Sequence, residues 1–222
     1  MKVIRDIVLS LNFDEVNLYS TPYYSNFQFQ SRFIGNYLRR QAKSSIFEPK
    51  GYKRLLINAC LLECPPNRLS ELYLCVYVPF EKEKYDNLKE DELKDFYIDL
   101  YLKGITKAQE THELPMAFLS ETIRKFKANN YINEWEFKSK TIKEIGIKAT
   151  LFCKMTIDFF SLTLILYKKK DVVFSKEILK TLPDEIIYHY QFKDISFKNN
   201  TIIVESWYDQ PPLYELDLSF NA

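Results

Sequence analysis

The sequence predicts an α+β protein, a largely antiparallel β-sheet with a central two-helix insertion packed against it, in one domain over residues 1–222. Three observations carry this expectation. Segments near both ends alternate apolar and polar residues, the period of two that sets a half-buried strand. The stretch from Asp86 to Asn130 switches to helical spacing. Near the end, an Asn199–Asn200 pair joins two short apolar runs in a self-consistent hairpin register. A subdomain over residues 1–83 is the alternative division of the N-terminal part.

The elements follow in order. Ile7, Leu9, Leu11 and Phe13 share one strand face, with Ser10 and Asn12 on the other. "STPYYSNFQFQS" has no helical period of apolar residues, so a short helix is expected only at Phe33, Ile34, Tyr37 and Leu38, before a loop "KSSIFEPKG". "KRLLINACLLE" and "SELYLCVYVPF" flank the turn formers "CPPNR" and read as a β-hairpin. Both runs are apolar on both faces, which suits strands covered on two sides. Leu93, Phe96, Tyr97, Leu100 and Tyr101 stripe a helix that Gly104 would stop. A second helix starts near Pro115, buries Met116, Leu119, Ile123 and Phe126, and carries Arg124, Lys125 and Lys127 where cations suit the dipole.

Strands dominate afterwards. Trp135 and Phe137 alternate with Glu134, Glu136 and Lys138. Ile147, Ala149, Leu151, Cys153, Met155 and Ile157 share one face, and from Phe160 the apolar parity shifts to even numbers, which requires a turn or bulge near Asp158. "YKKKD" is a solvated turn, "SKEILKTLPD" is helix-like, and "YHYQ" reads as a strand carrying His189. The Asn199–Asn200 turn sets Phe197 opposite Ile202 and Ile195 opposite Val204.

Composition narrows the function. The 222 residues are 46% apolar and include 17 Phe and 16 Tyr, enough for a sizeable core. With only four glycines, none closely spaced, the chain cannot carry a glycine-rich phosphate-binding motif. The 31 basic and 30 acidic residues balance, so no overall footprint for nucleic acid exists, and no nucleic-acid partner is expected. "MKVIRDIVLSLNF" does not read as a signal peptide, and the most apolar run, Phe159–Tyr167, is far too short for a membrane span. A cytoplasmic protein with no membrane association is expected. Cys60, Cys64, Cys75 and Cys153 form no C-x-x-C pair, so reduced thiols and no metal or other cofactor are expected.

No catalytic residues are predicted either. His112 sits in the connector "ETHELP", and neither it nor His189 has a nucleophile motif beside it. The remaining signals are surfaces. Glu92, Asp95 and Asp99 line up on the first long helix, either as a solvated face or as an acidic docking face for a basic partner. Lys138, Lys140, Lys143, Lys168, Lys169 and Lys170 read as solvated edges that discourage sheet pairing.

The tail "ESWYDQPPLYELD" combines aromatics with acids, and Glu205, Trp207, Asp209 and Tyr214 are its candidate contacts. Continued alternation past Val204 puts Ser206 and Tyr208 on the core face, with Glu205, Trp207 and Asp209 opposite, until Pro211 and Pro212 end the strand. Whether Trp207 lies beneath the protein's own helices or meets a partner stays open.

On "NEWEFKSKTIKEIGIKATLFCKM", "FKDISFKNNTIIVESW" and this aromatic-acidic surface, the chain resembles the immunity proteins of bacterial polymorphic or contact-dependent toxin systems. The resemblance implies a non-enzymatic cytosolic protein that binds its cognate toxin and occludes the active site. It assigns no site residues. Acidic immunity surfaces are common against basic nucleases, whereas this chain is neutral overall. An enzyme of unrecognised type and a phage or mobile-element assembly protein are the alternatives, and homo-oligomerisation is open.

Overall fold

The computed structural model describes residues 6–42, 51–208 and 210–219. They form two compact units, Met1–Ile132 and Asn133–Ala222. The fold class is α+β, with several helices and mostly antiparallel strand pairing. The subdomain edge considered at Glu83 falls inside a short helix, Lys82–Asp86.

In the first unit, β1 (Asp6–Leu11), β2 (Arg54–Cys60), β3 (Arg68–Leu69) and β4 (Tyr73–Pro79) form a sheet in the order β1-β2-β4-β3. β1, β2 and β4 are parallel, so the expected β2–β4 hairpin is corrected. The antiparallel neighbour of β4 is the two-residue β3 inside the connection, pairing Arg68 with Cys75 and Leu69 with Leu74. The connection is long enough to return the chain to the starting edge, and apolar strands suit parallel pairing. One face is sealed: Ile7, Leu9, Leu11, Leu55, Ile57, Ala59, Leu74, Val76 and Val78 are buried. Their alternates Val8, Leu56 and Cys75 are half-buried, so burial is one-sided where cover on both sides was expected.

Helix α1 (Thr21–Ala42) begins in the segment read as aperiodic. Its buried stripe runs Phe27, Ser31, Ile34, Leu38 and Ala42, and counting only apolar residues hides the period. Ser31 tolerates burial because its hydroxyl donates to Leu9 O at 2.9 Å. Pro22 sits in the first turn, where its missing N–H costs nothing. The loop expected at 43–51 lies, Gly51 apart, outside the described residues.

After α2 (Lys82–Asp86), the two central helices are α3 (Glu90–Gln109) and α4 (Met116–Ala128). The predicted stripes are buried at Phe96, Tyr97, Leu100 and Tyr101, and at Leu119, Ile123 and Phe126. α3 packs on the parallel strands β2 and β4, and α4 on α1 and α3. Gly104 does not stop α3. It lies mid-helix, where a Cβ would stand 2.5 Å from the Ile57 side chain, so its role is close approach to the sheet.

The second unit opens with a meander of β5 (Glu134–Ile142), β6 (Ile147–Met155), β7 (Phe160–Lys168) and β8 (Asp171–Thr181). A bulge between Glu136 and Lys138 leaves Phe137 unpaired and breaks the alternation expected there. The parity shift falls in the 156–159 turn, where Thr156 Oγ1 accepts from Asp158 N and Phe159 N at 3.2 and 3.1 Å.

"SKEILKT" belongs to β8 and not to a helix, because pairing along β7 overrides its local preference. Helix α5 (Glu185–Tyr188) follows, capped by Asp184, whose carboxylate accepts from Ile186 N at 3.0 Å. His189 therefore caps a helix and does not lie in a strand.

β9 (Asp194–Lys198), β10 (Thr201–Glu205) and β11 (Tyr214–Asp217) complete the unit in the order β11-β10-β9. The β9–β10 register matches the expectation at every pair. Asn199 and Asn200 have φ of 48° and 58°, as a two-residue hairpin turn with left-handed central residues requires. Ala149, Leu151, Cys153, Leu162 and Leu164 from the meander and Ile195, Ile202 and Val204 from the hairpin are buried.

Side chains tie the two sheets at both ends. Lys140 Nζ donates to Ile195 O at 3.0 Å beside β5, and Lys176 Nζ donates to the Tyr214 hydroxyl at 3.3 Å beside β8. Asn200→Val is expected to destabilise the protein by about 1 kcal/mol, since a β-branched residue resists positive φ. Asn200→Gly is expected to be neutral or slightly stabilising. Urea denaturation of both variants checks this.

Candidate protein-binding surface

The tail of β10 is held by a short ladder to the segment after α5. Lys193 N donates to Glu205 O at 2.7 Å, and Trp207 N donates to Tyr190 O at 3.1 Å. Between them the Ser206 hydroxyl donates to Gln191 O at 2.9 Å. The opposing segment is anchored from below. Tyr188 and Phe192 are buried, with Tyr188 stacked on Phe160 of β7 at 3.6 Å. Residues between these anchors face outward.

This anchoring presents an aromatic platform. Tyr190 is 39% exposed, Trp207 39% and Tyr208 73%. The Tyr208 ring centroid lies 5.6 Å from that of Tyr190 and 6.1 Å from that of Trp207. The Lys193 ammonium stands over the Trp207 ring at 5.0 Å, a cation–π contact that orients the indole. Tyr208 has φ of 59°, a conformation uncommon for a bulky residue.

The open question about Trp207 is thereby answered. The indole is exposed, and it sits in a turn and not on the outer face of a strand. β10 ends at Glu205, six positions before Pro211, where the stop was expected. Tyr208, placed by alternation on the core face, is the most exposed of the three rings, because alternation has no meaning once the strand has ended. Glu205 is half-buried, the last residue of β10, opposite Asp194. Asp209 lies outside the described residues.

The chain then forms β11, which the sequence reading did not anticipate. There Tyr214 pairs with Val204, and its ring lies 4.7 Å from Lys176 Nζ. Glu215 and Asp217 on β11 are exposed. The Ser219 hydroxyl and N–H bonded to Asp217 hold its carboxyl below the usual range.

The three helix acids belong to the first unit, and each has a local partner. Glu92 Oε2 accepts from Lys89 N at 2.9 Å, capping the first turn of α3 from one side. Asp99 pairs with Lys103 at 2.7 Å, one helical turn on. Asp95 accepts from the Tyr131 hydroxyl and pairs with Lys127 at 3.0 Å, tying α3 to the end of α4. The Tyr131 hydrogen bond, then Lys127, lowers the Asp95 pKa. These contacts give the acids capping and tethering work within their own unit.

Sequence reasoning missed Tyr190 and Lys193 as members of the platform. The pairing of "YHYQ" with "ESWY" was the available signal, concealed by reading the former as a strand. Of the histidines, His112 lies edge-on to Tyr52 at 5.9 Å, and His189 Nδ1 lies 2.9 Å from Glu185 O. Among the described residues, no group of three or more His, Cys, Asp or Glu side chains is placed to hold a metal, and no helix is long and apolar enough to cross a membrane. Comparison with known proteins finds no matching family model, curated protein or solved structure.

Proposed function

We propose that the chain is a non-enzymatic protein-binding module, specifically a cytoplasmic immunity protein that neutralises a cognate bacterial toxin by occluding its active site. The observation that carries this reading is the Tyr190–Trp207–Tyr208 platform. It presents three exposed aromatic rings on a backbone fixed from below, next to Glu205 at the end of β10. Exposed aromatics held rigid bury large area at little entropic cost, and neighbouring acids favour a basic partner. Tyr214, opposite Val204 on β11, is a further contact in this proposal. The acids of α3 serve as a secondary docking face only if binding displaces their internal partners.

Co-expression with a toxin encoded by a neighbouring gene tests the proposal. Survival of the host and co-purification of the two chains are expected, and absence of both overturns it. Within a complex, Trp207→Ala is expected to weaken binding by about 2 kcal/mol, roughly thirtyfold. Its melting temperature should stay close to that of the parent, because the indole is exposed. Unchanged affinity in a folded variant removes this surface from the contact, and unfolding makes Trp207 structural. Glu205→Lys should weaken binding in a salt-dependent way if the partner is basic.

A further inference from the structure

The meander of the second unit closes one of its ends with two turns, and the strand register sets them side by side. Ile142 pairs with Ile147, Ile147 with Lys168, and Lys168 with Asp171, so one row crosses β5, β6, β7 and β8 at this end. The turns at 143–146 and 169–170 lie just beyond the row. Lys143, Lys168, Lys169 and Lys170 gather there, all exposed, with Glu144 and Asp171 as the acids among them. Lysines further along the strands are neutralised, Lys148 by Glu136 and Lys138 by Asp194, each at 3.4 Å. No ion pair within the described residues neutralises any of the four at the turns. Lys169 takes φ of 57°, which glycine or asparagine adopts at lower cost, so backbone preference does not explain a lysine there. The balance of 31 basic and 30 acidic residues over the whole chain conceals this local excess.

Two aliphatic side chains adjoin the lysines. Val172 and Val173, near the start of β8, are 57% and 52% exposed. Tyr167 pairs with Val172 and Leu166 with Phe174, so a bulge leaves Val173 without a partner in the ladder. β8 is an edge of its sheet. Protection against sheet pairing explains lysines on such an edge, but exposed valines work against that protection. A nucleic-acid backbone would use the lysines and leave the valines idle, and neither turn carries an arginine or an aromatic ring to stack on a base. An anionic membrane surface uses both: ammonium groups meet the lipid headgroups, and aliphatic groups enter the boundary with the acyl chains.

We propose that this end of the second unit docks peripherally on a membrane rich in anionic phospholipid, with the four lysines at the headgroups and Val172 and Val173 inserted. The surface is separate from the aromatic platform. Tyr188, which anchors the platform, stacks on Phe160 at the start of β7, whereas Lys168 ends that strand. Its nine residues put roughly 27 Å between the two ends, so docking leaves the platform free.

Co-sedimentation of the full chain with vesicles tests this. Vesicles of phosphatidylcholine with about one-third phosphatidylserine should carry the protein down at low ionic strength, and pure phosphatidylcholine vesicles should not. Raised salt should release most of it. Lys143→Gln combined with Lys170→Gln should weaken binding roughly twentyfold, and Val172→Ser combined with Val173→Ser about tenfold. All four positions are exposed, and circular dichroism checks that both variants keep the parent fold. Trp207→Ala should bind the vesicles as the parent does. Absence of binding to the anionic vesicles, equal binding to both kinds, or parental affinity in either double variant would overturn the proposal. Capture of the protein by a DNA duplex without uptake on vesicles would overturn it too, and would assign the lysines to nucleic acid.

Discussion

Gly35→Ala is expected to destabilise the first unit by about 3 kcal/mol, the upper end of what overpacking costs. Helix α1 crosses β1 so closely at this residue that an added Cβ would stand 2.6 Å from Ile7 O and 2.8 Å from the Tyr101 hydroxyl. Neither neighbour gives way easily. Ile7 belongs to a strand paired with β2, so moving its carbonyl disturbs the sheet. Tyr101 is fully buried, and its hydroxyl donates to Ser31 O at 3.2 Å. Adding Tyr101→Phe removes one obstacle and leaves the backbone one, so rescue should be minor.

Gly104→Ala provides the contrast. Its obstacle is the Ile57 side chain alone, at 2.5–2.7 Å. Ile57→Ala should therefore recover a substantial part of the Gly104→Ala loss, with a favourable coupling in the double-mutant cycle. Urea denaturation of the five variants checks both statements. A Gly35→Ala midpoint equal to that of the parent would refute the close approach.

These glycines show where the sequence was legible and where it was not. α3, α4, β6, β7 and the Asn199–Asn200 hairpin were readable because each is specified locally, by a clean apolar period or by turn chemistry. Gly104 was misread because glycine serves both as a helix stop and as a contact surface, and only the crossing with Ile57 distinguishes the two. The parallel pairing of β2 with β4 is a non-local choice that two apolar runs do not encode. α1 was truncated in the reading because Ser31 stands in its buried stripe, satisfied by a bond to β1 that the sequence does not display.

For the candidate surface, Trp207 and Glu205 were identified as residues but not in their geometry. The reading extended β10 past its end. The chain leaves the strand there because Ser206 Oγ and Trp207 N–H bond to the carbonyls of Gln191 and Tyr190. Those partners lay in the segment whose structure was misassigned.

The second large effect is expected at Glu15, where alanine should cost about 3 kcal/mol. Glu15 is 6% exposed in the 3-10 turn at 13–18 that follows β1, and a carboxylate is rarely buried to this degree without partners. Its partners are backbone. Leu61 N and Leu62 N leave β2 with no strand neighbour, and the two carboxylate oxygens satisfy one each. Charged acceptors make such bonds stronger than neutral ones, and removing the acceptor leaves both N–H groups unpaired in a partly buried turn.

Glu15→Gln separates charge from shape. Its single amide oxygen can accept from one N–H, while the amide nitrogen faces the other as a second donor. An intermediate loss is expected. Amide hydrogen exchange gives the local readout, with faster exchange at Leu61 and Leu62 in Glu15→Ala and at one of the two in Glu15→Gln. Unchanged exchange at both residues in Glu15→Ala would mean that the turn between Cys60 and Cys64 is held by something other than this carboxylate.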